Sequence, residues 1–160
     1  VSDIIKIKPI IALACDDARM ENNGKPFLIG IYQNDAHFRG IVPPNADEIF
    51  NWSIHLWIPF QAEEIGTANF EIQIIGPNPK NVVVGKGRVI LGNKPRETEI
   101  TPLVLGPFHL KVWQNGEVKI LFKNEDDKEF QTLRIIPVSF TAEELPDSNL
   151  SVASVIAQPS

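Results

Sequence analysis

A chain of 160 residues with 20 acidic and 15 basic side chains and a formal charge of −5 is the size of one domain, long enough to bury on the order of two thirds of the surface its unfolded form exposes. Its acidic balance argues against a protein built to neutralise phosphates, a task that needs a clustered basic footprint, so nucleic acid is not an expected partner. The single cysteine, Cys15, excludes an intramolecular disulfide, and its apolar neighbours Ile10 to Ala14 read as the setting of a buried, inert thiol.

No run approaches the roughly 18 to 20 apolar residues that a membrane-spanning helix needs, and the N-terminus lacks a basic, apolar, small-residue leader pattern. A cytoplasmic protein without a membrane partner is the expectation. Asn51-Trp52-Ser53 and Asn149-Leu150-Ser151 fit the glycosylation acceptor pattern, which is too short to alter that expectation.

In chain order, Ile4 to Cys15 reads as strand, with Pro9 marking an edge or bulge and the strand proper spanning Ile10 to Asp16. Asn22-Asn23-Gly24 is a turn, and Phe27 to Tyr32 follows as an apolar run of the kind buried on both faces, with Gly30 permitting close approach of another backbone. Gln33 to Asn51 loses periodicity. Its Pro43-Pro44-Asn45-Ala46-Asp47-Glu48 core predicts a long loop ending in one capped helical turn, a binding element by position. Trp52, Ile54, Leu56, Ile58 and Phe60 then alternate with Ser53, His55, Trp57, Pro59 and Gln61, which predicts a half-buried strand. Ala68, Phe70, Ile72 and Ile74 give its neighbour, stopped by Gly76-Pro77-Asn78-Pro79. Val82 to Leu91 is a further strand, or pair of strands, with Gly85 and Gly87 marking a bulge. Glu99 to Leu105 is another, interrupted by Pro102.

Phe108 to Lys123 predicts two strands joined in a hairpin. A two-residue Asn115-Gly116 loop would mix charge and hydrocarbon on both faces. A three-residue Gln114-Asn115-Gly116 loop with a glycine bulge instead pairs Val112 with Val118, Leu110 with Ile120 and Phe108 with Phe122, leaving Trp113 outside beside His109 and Lys111. Glu125-Asp126-Asp127-Lys128 then turns the chain into Glu129 to Val138, pairing Ile120 with Leu133 and Val118 with Ile135, and setting Lys119 opposite Arg134. Thr141-Ala142-Glu143-Glu144 predicts one short helical turn. Residues 141–160 form a C-terminal extension, partly disordered or docking as an added strand through Val152 to Ala157.

Eight or nine short strands, turn signals every ten residues or so, and at most one or two helical turns predict an all-β, antiparallel β-sandwich over residues 1–140. The paired cysteines of true immunoglobulin domains are absent, so the likeness is one of architecture. Leu13-Ala14-Cys15-Asp16-Asp17-Ala18, Asn23-Gly24-Lys25, Leu28-Ile29-Gly30-Ile31-Tyr32 and Gly116-Glu117-Val118-Lys119-Ile120-Leu121 resemble a widespread bacterial family of uncharacterised cytoplasmic β-sandwich proteins. The resemblance, over residues 10–138, implies fold and compartment and carries no activity.

Three histidines, His37, His55 and His109, show no ligand spacing. Asp16-Asp17 with Glu21 and Asn22, and Asn124 to Glu129, offer oxygens without the spacing of a calcium loop and read as solvated turns. There is no nucleophile elbow, and Gly85-Lys86-Gly87-Arg88 precedes no helix, so no catalytic residue, metal or cofactor is expected. Trp57 and Trp113 fall on the face opposite the core, near His55, His109 and Lys111. These five residues form the candidate binding patch. The expected role is non-enzymatic: a protein-interaction or self-assembling accessory subunit. A small-ligand or carbohydrate-binding module using exposed aromatics is the alternative, ahead of a hydrolase or metal protein.

Overall fold

The computed structural model describes residues 3–93 and 100–146. The described chain is all-β, with ten strands and no helix: β1 Lys8–Pro9, β2 Leu13–Met20, β3 Pro26–Ile31, β4 Ala36–Gly40, β5 Trp52–Gln61, β6 Gly66–Ile75, β7 Val82–Leu91, β8 Thr101–Leu110, β9 Gly116–Asn124 and β10 Gln131–Ala142. They form two five-stranded sheets. In the first, β3, β2, β5 and β8 lie side by side, and β1 continues the line of β2 along β5; in the second the order is β4-β10-β9-β6-β7.

The core lies between the sheets and is built from the strict alternations. Ile54, Leu56, Ile58 and Phe60 of β5 meet Ala68, Phe70, Ile72 and Ile74 of β6 and Val118, Ile120 and Phe122 of β9, all buried. Burial of each such side chain stabilises the fold by about 1.5–3 kcal/mol. Since alternate residues of a strand point to opposite faces, any one-residue slip would carry these rows into water, which fixes their register.

The structure departs from the sequence expectations in several places. The N-terminal strand is two pieces. Register along β5 changes by one residue between Pro9↔Phe60 and Leu13↔Trp57, so the chain around Ile10 is irregular and the second piece extends to Met20. β3 is an exposed edge strand, not one buried on both faces. Within the expected long loop, Ala36–Gly40 forms β4, paired in parallel with Val138–Ala142 of β10, so the fold is not wholly antiparallel. A turn does follow Pro43, with Ala46 N–H donating to its carbonyl at 3.1 Å. The strand count is ten instead of eight or nine, because of β4 and the divided N-terminal strand.

β7 contains no bulge; it pairs with β6 in unbroken register from Gly66↔Leu91 to Ile75↔Val82. Its glycines answer packing instead. A Cβ on Gly87 would lie 2.3 Å from Phe70 Cζ, and one on Gly85 would lie 2.9 Å from Phe108 Cε1. β8 runs through Pro102, which sits opposite Pro59, and residues 94–99, including the expected start at Glu99, lie outside the described residues.

The 108–123 segment is not a hairpin. β8 pairs with β5 in one sheet, whereas β9 pairs with β6 and β10 in the other. Leu110, Val112, Val118, Ile120 and Phe122 are nonetheless buried, because two strands facing one core from opposite sheets show the same alternation as two strands side by side. The β9–β10 register matches expectation near the turn, Gln131↔Phe122 and Thr132↔Leu121, and then shifts across Leu133 to Arg134↔Ile120, Ile135↔Lys119 and Ile136↔Val118. That bulge buries Ile136 and Val138, exposes Ile135 and relieves the expected Lys119–Arg134 opposition. Thr141 and Ala142 belong to β10 and do not begin a helical turn; residues 147–160 lie outside the described residues.

Candidate functional site

The two sheets separate along β7 and β8. β7 has β6 on one side and, among the described residues, no strand on the other. Val82, Val84 and Ile90 on its outer face are 43%, 51% and 72% exposed. Between β7 and β8 runs a groove of about 600 Å³ whose walls include Phe50, Lys80, Val83, Phe108, His109 and Lys111. It adjoins a smaller hollow of about 240 Å³ beneath Gly85 and Gly106, with Pro107 and Phe108 common to both. Glycine at two positions of β7 supplies no side chain to fill the gap. The Phe108 ring lies against Gly85 and the Phe70 ring beneath Gly87.

Three of the five patch residues anticipated from sequence converge here on the segment 47–50. Trp113 Nε1–H donates to the Ile49 carbonyl at 2.9 Å, and its ring meets Phe140 edge-on at 5.5 Å. Lys111 Nζ donates to the Asp47 carbonyl at 2.5 Å and stands 5.1 Å from the centre of the Phe50 ring. His109 lies 6.1 Å from the same ring. Asn51 grips Val112 from both sides, donating to its carbonyl at 2.7 Å and accepting from its N–H at 2.6 Å. Residues 109–113 thus pin the loop that forms one end of the groove. Trp113 is half-buried in that role, while Phe50 is the more exposed of the two phenylalanines that line the groove.

His55 and Trp57 stand elsewhere, on the outer face of the first sheet. His55 Nδ1–H donates to the Asp16 carbonyl at 3.0 Å, and Cys15 Sγ–H to the His55 carbonyl at 3.6 Å. Trp57, opposite Leu13 and Val104, has its indole N–H buried with no hydrogen-bond partner among the described residues. Burial, then the adjacent Asp16 and Asp17 charges, push the Cys15 thiol up, which opposes the thiolate that nucleophilic chemistry needs.

Asp16, Gly30 and Tyr32, three of the residues quoted for the resemblance, form a structural lock with Trp52. Gly30 has φ +66, and a Cβ there would lie 2.1 Å from Asp16 Oδ2. Only glycine allows the Asp16 carboxylate to pass across β3 and accept from Tyr32 Oη–H at 2.6 Å, while Tyr32 Oη accepts from Trp52 Nε1–H at 3.1 Å. The bare position serves a side chain, not the approaching backbone expected from sequence. Burial, with the Asp16 hydrogen bond, pushes the Tyr32 pKa up to about 12.

One constellation was not legible in the sequence, and a second, read there as a solvated turn, is a buried hydrogen-bonded one. Parallel pairing of β4 with β10 sets His37 beside Ser139, with Nδ1 and Oγ 2.5 Å apart, and His37 Nε2 is 3.2 Å from Asp35 Oδ2. Order and residue types echo an acid–base–hydroxyl relay. However, the His37 and Asp35 side chains are 71% and 52% exposed, and water screens the electrostatic activation such a relay depends on. The second is the β9–β10 turn. Buried Asn124 exchanges hydrogen bonds with the Ile7 backbone at 2.9 and 3.1 Å and donates to Asp127, which also pairs with Lys6 at 2.6 Å. Lys6 and Asn124 hold the Asp127 carboxyl below its usual range. These oxygens therefore have structural partners; no cluster of three metal-ligating side chains occurs among the described residues.

No helix of the described chain is long and apolar enough to cross a membrane. No family model matches the chain, and a search of curated proteins finds no match.

Proposed function

We propose that this chain is a non-enzymatic protein-interaction module, an immunoglobulin-like sandwich in its finer architecture, that acts through the β7 edge and the groove beside it. One observation carries the reading: a ten-residue strand with exposed valines and isoleucine, unpaired on its outer side among the described residues and bordering a groove. Free N–H and C=O groups on such an edge are a template for an added strand, and the hollow beside it accepts the alternate side chains that strand would turn inward. A cytoplasmic setting in a bacterial host, kinship with the β-sandwich family resembled above, and the absence of nucleic-acid or membrane partners belong to the same proposal.

The test is an NMR titration with strand-forming peptides. Amides of residues 82–91 shift and gain protection from exchange, and those of β3 do not. Perturbation confined to other strands would overturn the reading. A small-ligand or carbohydrate site is the second reading, favoured by the Phe50 face in the groove beside His109 and Lys111. Saccharide-induced shifts at residues 50 and 107–111, lost in Phe50→Ala, would replace the first reading with it.

A further inference from the structure

We infer that the strand received by β7 comes from a different protein and is acidic, an extended segment alternating apolar with carboxylate side chains, in preference to a second copy of this chain. This rests on the strand-addition reading above and specifies its partner. The first support is the charge of the groove. The chain is acidic overall, at −5, yet among the described residues the groove wall carries Lys80, Lys111 and His109 and no aspartate or glutamate. The adjoining hollow adds Lys86 and, among the described residues, again no acid. A carboxylate of an incoming strand lying along that wall would meet Lys80, Lys111 and His109.

The second support is the register of β7 itself. Directly opposed residues of an antiparallel pair share a face, so a two-fold pairing of β7 with its own copy must oppose residues of like parity. Two registers overlap nearly the whole strand. One, centred on Lys86, opposes Lys86 to Lys86 of the copy; the other, centred on Gly87, opposes Lys86 to Arg88 of the copy, twice by symmetry. Like charges directly opposed on a sheet face destabilise the pairing, and charged edge residues are a recognised device against self-association. The same two cations favour a partner with carboxylates at those positions. They are not fully neutralised within the chain: Lys86 Nζ stands 4.0 Å from Glu71 Oε2, and Arg88 Nε–H donates to the neutral Asn69 side chain at 3.0 Å. Inward-facing residues of the incoming strand meet the Phe108 ring and the surfaces of Gly85 and Gly87, and are therefore small and apolar.

The experiment compares three labelled peptides of about nine residues, alternating valine with glutamate, glutamine or lysine, by fluorescence anisotropy on the full chain. The glutamate peptide is expected to bind roughly tenfold more tightly than the glutamine peptide. That preference shrinks as salt rises from about 50 to about 500 mM. In Lys80→Glu/Lys86→Glu, both exposed positions away from the loop contacts, the preference inverts towards the lysine peptide. Equal binding of the glutamate and glutamine peptides, or a preference untouched by the charge reversal, would overturn the acidic partner and leave strand addition standing. Failure of all three peptides to bind would overturn strand addition itself. Dimers of the free protein with β7 amides protected at the dimer contact would show that a second copy occupies the edge.

Discussion

The two long sides of the molecule are built in opposite ways. On one, β3 of the first sheet leads directly into β4 of the second, and the gap is filled: the Trp52 ring is met edge-on by Tyr32 at 4.9 Å and Phe38 at 5.0 Å. The Arg134 guanidinium, swung inward by the bulge at Leu133, donates to the carbonyls of Ala12, Tyr32 and Gln33. Burial lowers the pKa of that guanidinium, and its partners are carbonyl oxygens. On the other side, β7 and β8 end their sheets without a linking strand among the described residues; Gly85 and Gly87 bring no side chains, and a groove remains. Closing a sheet-to-sheet gap requires large side chains and satisfied backbone groups, and among the described residues only one side has both.

The largest effect expected from that contrast is on stability. Trp52→Ala should cost about 3–5 kcal/mol, against about 1–2 kcal/mol for the half-buried Phe108→Ala at the groove, as read from urea unfolding midpoints. Equal costs would break the distinction between a packed side and an open one. Arg134→Met should cost about 2 kcal/mol, because the three carbonyls lose their donors while a stem of similar length stays in place. Gly87→Ala sharpens the comparison from the open side. The new methyl cannot fit without moving the Phe70 ring, so a cost of about 1–2 kcal/mol is expected; a neutral or stabilising result would show that β7 can move outward freely.

The smallest effect is the pH dependence of the packed side. Tyr32 has its folded pKa raised from 10.0 to about 12, so the folded state holds this proton longer than the unfolded one. Its stabilising share is whole below about pH 10 and is lost as pH rises through about 12. Tyr32→Phe should cost about 1 kcal/mol at neutral pH, leaving Trp52 Nε1 and Asp16 without their partner, and should flatten unfolding stability against pH over that alkaline window. A slope retained in Tyr32→Phe would assign it to another group.

Much of the core was legible because alternation is a local property. Trp52 to Phe60 and Ala68 to Ile74 are inward as their spacing predicts, and so is Val118 to Phe122. Strand partners were less legible. The Phe108 to Lys123 pattern fits a hairpin and a crossing between sheets equally well, since both bury the same alternate residues. β4 escaped notice because its five residues, Ala-His-Phe-Arg-Gly, have little apolar alternation and are held by parallel pairing with a strand about a hundred residues later. The candidate patch divided for the same reason. His109, Lys111 and Trp113 share a strand end and meet one loop, whereas His55 and Trp57 have neighbours set by strand order.

By itself the sequence determined the all-β class, the inward rows and most of the turns, because strand period, β-branched composition and Gly/Asn/Pro punctuation act over a few residues. Tertiary structure alone decided which strand lies beside which and where a register slips. It thereby also decided which side of the molecule is closed by Trp52 and Arg134 and which is left open beside β7. Those outcomes depend on contacts between residues far apart in the chain, and alternation carries no information about the partner that satisfies it.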